Sequence, residues 1–126
     1  MIGKVVDGSA LAAMAQADIE ATSWIVMAYA TSQPLYIPEL AFAEVRALRP
    51  HAEQELRELR EHPAVVVKQL TVDEAQAVED LLGRAWAFDV LAAHAVLVAA
   101  QRGWLVVTSD PDRLRRLEPH VELNLL

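Results

Sequence analysis

The sequence contains no cysteine. That excludes a disulfide staple and a thiolate metal site, so any metal held by this chain takes oxygen or imidazole ligands. Positive charge is also short: 11 Lys and Arg stand against 18 Asp and Glu, a formal net charge of -7. Generic nucleic-acid clamps work by neutralising phosphates, so a nucleic acid would have to be met at a local site. No apolar run approaches the roughly 20 residues that cross a bilayer. Met1 leads into Ile2, Gly3 and Lys4 rather than a signal-peptide pattern, and the expectation is a cytoplasmic protein with no membrane partner. The chain has neither repeat nor linker. Asp7-Gly8-Ser9 does not supply the G-x-G-x-x-G turn of a dinucleotide-binding dehydrogenase, and no P-loop is present. An aspartate-phosphorylating receiver or phosphatase would need a second acid near Asp7 and a lysine at the end of a late strand, and both are missing.

What the chain does have is apolar side chain: 54% of 126 residues, enough for one core and too short for two, so residues 1–126 read as a single domain. Ile2 to Val6, Ala64 to Val67 and Leu105 to Val107 read as buried strands, with Leu35 to Ile37 between two prolines as a weaker fourth. Alternation of Val121, Leu123 and Leu125 with Glu122 and Asn124 suits an edge strand. Helices are expected from a Ser9 cap through Met14, from Asp18 through Met27, and from Pro38 at a first helical position. A further one spans Pro50 to His62, its charge run assigned to solvent. Thr71 and Glu74 form a capping box, with Gly83 as a stop or hinge, and Asp89 to Gln101 is the most apolar helix, ended near Gly103. Trp24, Trp86 and Trp104 are expected in the core. Strands alternating with helices predict an α/β fold: a mostly parallel sheet of four to five strands joined by right-handed crossovers and covered by helices on both faces. In such sheets ligands gather outside the carboxyl ends of the strands.

Acids fall at those ends. Asp7 directly follows the first strand, either as a ligand or as a cap for the next helix. Glu44 lies between Leu40 and Leu48 on an i, i+4 stripe, which points it inward. An ionised carboxylate buried alone costs several kcal/mol, so Glu44 needs a cation, either a metal ion or an arginine, or else a shifted pKa. Asp110 follows the Leu105 strand through Thr108 and Ser109, and with Pro111 behind it also reads as a plain helix cap. Three converging acids repel one another unless a cation neutralises them, and hard oxygen ligands suit Mg²⁺ or Mn²⁺.

Val-Val-Asp-Gly-Ser at 5 to 9, Ala-Glu-Val at 43 to 45 and Val-Val-Thr-Ser-Asp-Pro-Asp at 106 to 112 together resemble the PIN-domain ribonucleases, in particular the VapC-type toxins of toxin–antitoxin pairs. The resemblance spans nearly the whole chain. It implies a PIN-like three-layer α/β/α sandwich and cleavage of single-stranded or loop RNA with Mg²⁺ or Mn²⁺. It also implies a homodimer and a small antitoxin partner. Carried over by position, Asp7, Glu44 and Asp110 match metal-binding acids, Ser9 and Thr108 match their small polar supports, and Asp112 is an accessory acid. One departure stands out. The family's remaining acid would fall on Ala92, whereas this chain has Asp89 one turn earlier, displaced by about 4.5 Å along a helix axis. Asp89 is thus either the fourth catalytic and metal-binding acid or only a helix cap. Arg113, Arg115 and Arg116 are the local cations for RNA, or else a solvated helix end. His94, polar in an apolar helix, reads as a packed histidine. The expected mechanism is metal-assisted phosphodiester hydrolysis. The rival is a PIN-like protein-binding module that has lost cleavage, which the alanine at 92 would favour.

Overall fold

The computed structural model describes residues 2–126. Strand β1 (Lys4–Val6) lies at the centre, flanked by β2 (Leu35–Pro38) and β4 (Leu105–Thr108). Outside them run β3 (Val65–Lys68) and β5 (Leu123–Leu125). The order is β3-β2-β1-β4-β5 and every pairing is parallel, with Lys4 opposite both Leu35 and Leu105. Central parallel strands are covered on both faces and carry apolar residues without alternation. Val5 and Val6 follow this rule, both fully buried, one in each half of the core.

Val6, Leu35, Ile37 and Val107 face one helical layer: α1 (Gly8–Ala15), α2 (Ile19–Thr31), α3 (Glu39–Leu48) and α4 (Glu53–Glu61). Val5 and Val106 face the other, chiefly α5 (Val72–Ala85) and α6 (Val90–Arg102), with Leu114 of the short α7 (Pro111–Arg115). The result is the expected three-layer α/β/α sandwich, with five strands. Among the described residues no single helix is long and apolar enough to cross a membrane.

The chain builds the sheet outward from β1 through β2 to β3, then returns to lay β4 on the other side of β1. The sheet order therefore reverses between β1 and β4, and the crevice at their carboxyl ends is where such sheets take ligands.

Several local expectations shift. Asp7, not Ser9, caps α1, because its extended backbone lets the carboxylate reach the Ala10 N–H. Pro38 closes β2 and stands just before α3 rather than at its first position. The buried face of α3 is Ala41, Phe42 and Val45, while Leu48 is exposed, so the Leu40–Glu44–Leu48 stripe borders the core instead of facing it. Gly83 does not stop α5, which continues to Ala85 and ends at Trp86 in the left-handed conformation. Trp104 is buried and Trp24 packs against the core, but Trp86 is 93% exposed, contrary to its expected place. The capping box of Thr71 and Glu74 is present, and Gly103, with φ +67°, ends α6.

Candidate metal centre at the β1–β4 crevice

Asp7 leaves β1 with its carboxylate buried under α1. Oδ1 accepts the Ala10 N–H at 2.9 Å and the Ser9 hydroxyl at 2.7 Å; Oδ2 accepts the Thr108 hydroxyl at 2.6 Å. Cap and site residue are thus the same side chain. Burial pushes the Asp7 carboxyl above its ordinary range, partly offset by these hydrogen bonds and by the positive field of Arg113.

Ser9 and Thr108 also tie the two strand ends together. Ser9 Oγ accepts the Ser109 N–H at 2.9 Å, and Thr108 Oγ1 accepts the Asp110 N–H at 2.9 Å. The loop carrying Asp110 is thereby fixed to the carboxylate of Asp7 through single hydroxyl groups.

Glu44 approaches from α3 and Asp89 from the start of α6, each side chain a little under a third exposed. Between them lies the guanidinium of Arg113. Its Nη1 and Nη2 donate to Glu44 Oε2 and Oε1 at 3.0 and 2.7 Å. Its Nε and Nη2 donate to Asp89 Oδ2 and Oδ1 at 2.5 and 2.9 Å. This is a fork with bidentate contact on both sides, the geometry in which arginine exceeds lysine. Asp89 Oδ1 also accepts the Ala92 N–H at 3.1 Å, so Asp89 both caps α6 and belongs to the cluster. Burial raises the Asp89 carboxyl, but the Arg113 and Ala92 bonds outweigh it and the net shift is downward. Arg113 is correspondingly held in its charged form.

Gly8 makes room for this arrangement. A Cβ there would overlap the Glu44 carboxylate and come within 3.2 Å of Leu91. The first residue of α1 is therefore glycine because another side chain passes over it.

The sequence-derived residues are thus divided. Asp7, Ser9 and Thr108 are bonded together, and Glu44 and Asp89 meet on Arg113. Asp110 stands at the exposed end of β4 with its carboxylate making no cap hydrogen bond. Asp112, Arg115 and Arg116 are exposed, with Arg116 close enough to influence Asp89. Arg113 is not the free RNA-facing cation expected from sequence; it is the internal partner of two acids, because a half-buried carboxylate pair takes the nearest cation. An arginine is one of the partners expected for Glu44, but nothing local in the sequence identifies which arginine. Among the described residues no three Asp, Glu or His side chains stand close enough to hold one ion as they lie.

His94 is fully buried in α6, remote in bonding from this cluster, with Nε2 3.6 Å from Glu74 Oε1. It is the packed histidine expected.

No family model matches the chain, and no curated protein matches it. Among solved structures, the crystal structure of PAE2754 from Pyrobaculum aerophilum is similar, with a TM-score of 0.66 and 21% identity. The match covers 97% of this chain and 83% of that one. At that identity the likeness shows a shared fold.

Proposed function

We propose that this chain is a divalent-metal-dependent endoribonuclease of the PIN type, resembling the VapC toxins, that hydrolyses single-stranded or loop RNA and is inhibited by a small antitoxin. The observation that carries the reading is the meeting of Glu44 and Asp89 on one guanidinium, with the buried Asp7 carboxylate within its positive field, at the carboxyl ends of β1 and β4.

The residues fit Mg²⁺ or Mn²⁺. Their donors are hard oxygens, Glu44 and Asp89 share one guanidinium, and the buried Asp7 carboxylate is bonded only by neutral donors. When bound, the ion supplies Lewis-acid stabilisation of phosphate charge and activation of water. The chain's own residues do the positioning. Thr108, Ser9 and the Ala10 N–H fix the orientation of Asp7, which preserves its ligand geometry without reorganisation. Glu44 and Asp89 complete the set, so Asp89 can serve although it precedes the usual position by a turn. Asp110, exposed beside Thr108, and Asp112 supply further acids at the rim. Arg115 and Arg116 offer exposed positive charge to RNA phosphates, which a chain of net charge -7 otherwise lacks. Apolar side chains left in solvent, Val26, Met27 and Tyr29 on α2 and Trp86 and Phe88 before α6, provide surface for the antitoxin and a second copy.

The test is cleavage of a mixed single-stranded RNA by purified protein with Mn²⁺ or Mg²⁺. Cleavage that Asp7→Asn abolishes supports the reading; cleavage unaffected by that substitution, or none at all, sinks it. The second reading, a protein-binding module without cleavage, is favoured by Arg113 already neutralising Glu44 and Asp89. Thermal melting with and without Mn²⁺ separates the two, since an ion at 100 times its Kd stabilises by about 2.7 kcal/mol.

A further inference from the structure

We infer that Arg113 is a built-in competitor for the divalent ion: its guanidinium holds the Glu44–Asp89 pair in the metal-free protein, and metal enters as that side chain leaves. The inference rests on the proposed metal-dependent function and concerns how the same site is loaded.

Arg113 occupies the lone pairs a metal would need. Both oxygens of Glu44 and both of Asp89 accept its N–H groups, at 2.5 to 3.0 Å. The guanidinium and a divalent ion therefore cannot use these oxygens together. Their like charges also repel at such range.

The fold allows the exchange without unfolding anything. Arg113 belongs to α7, whose backbone is anchored by the neighbouring Leu114, fully buried, and by Leu117 behind it. The helix stays while the long side chain of Arg113 rotates. Its own side chain is 22% exposed, so the cluster already opens to solvent on that side. Once released, the guanidinium joins Arg115 and Arg116 on an exposed stretch next to Asp110. In energetic terms the bare acid pair is a minority state, and an ion that needs it binds with an affinity reduced by that state's population.

The consequence is an apparent metal affinity set by an arginine rather than by the acids alone. Mn²⁺ binding to the full chain is measured by the loss of free-ion paramagnetic resonance signal for wild type, Arg113→Gln, Arg113→Lys and Arg116→Gln. Arg116→Gln is the charge control: it removes the same charge near Asp89 but no hydrogen bond. Arg113→Gln is expected to tighten Mn²⁺ binding by about tenfold or more, Arg113→Lys by less, and Arg116→Gln by under about threefold, given that a point ammonium cannot reproduce the fork. In wild type, titration with Mg²⁺ should also shift the Arg113 Nε–H resonance as it leaves Asp89.

Equal affinity in wild type and Arg113→Gln, or an equal gain in Arg116→Gln, overturns the competition while leaving the metal site standing. Absence of Mn²⁺ binding in every variant overturns the metal-dependent function itself. Should Arg113→Gln fail to fold, Arg113→Lys and the wild-type resonance carry the decision: unchanged affinity with an unmoved Nε–H signal refutes the exchange.

Discussion

Gly8 is defined by what passes over it. Its place at the first position of α1 would tolerate alanine in backbone terms, and helix propensity even favours the change by up to about 1 kcal/mol. The obstruction is the Glu44 carboxylate, the movable end of a flexible side chain. Gly8→Ala should therefore leave the melting temperature within a few degrees of wild type, roughly 1 kcal/mol for a domain of this size. It should weaken the proposed Mn²⁺ binding and RNA cleavage by about tenfold, a 1.4 kcal/mol effect. A variant that melts much lower yet keeps its Mn²⁺ response would disprove this. Asp7 and Asp110 were readable because each follows an apolar run, so their place at a strand end comes from neighbours in sequence. The role of Gly8 was not readable, since it depends on a side chain from another helix.

Helix α5 shows the same limit for an element. Its start was legible: Thr71 and Glu74 bond reciprocally, all within one turn. Its end was not. Gly83 offers a stop signal, yet the helix runs on to bury Leu82 and Ala85 against α6 and its neighbours, and Trp86 takes the left-handed residue at φ 54°. Burial of the apolar face outweighs the modest cost of one helical glycine. A bulky residue at positive φ is strained by roughly 1–2 kcal/mol. Nothing lies within 4 Å of a Cβ on Gly83. Exchanging the two signals, Gly83→Ala with Trp86→Gly, should thus raise stability by about 1 kcal/mol in urea denaturation. No gain, or a loss, would mean that the exposed Trp86 ring stabilises the folded chain after all.

Across the whole molecule, pH should act on stability through a residue remote from the candidate site. His94 is sealed between α5, α6 and the sheet, and neither ring nitrogen has a hydrogen-bond partner in the protein. Burial depresses its pKa below 6.5, with the charge of Glu74 only partly compensating. The folded state therefore prefers the neutral ring. Its stabilising contribution is complete above about pH 6.5 and is lost as pH falls from there toward the depressed folded value. Melting curves in EDTA should show wild type losing stability between about pH 7 and 5, while His94→Leu, similar in size and without a charge to bury, loses less. Parallel pH profiles for the two proteins would exclude His94 as the cause.

By itself the sequence determined the alternation of strands and helices, and with it a parallel sheet with two helical coats and a cluster of acids at the strands' carboxyl ends. Those follow from periodicity and capping, which act over a few residues. Only the tertiary structure decided that α6 brings Asp89 to Glu44, that Gly8 clears the way, and that Arg113 fills the gap between the two acids. The physical reason is that an electrostatic partner is chosen by distance through space. The sequence calls for a partner near Glu44, and the folded chain supplies Arg113.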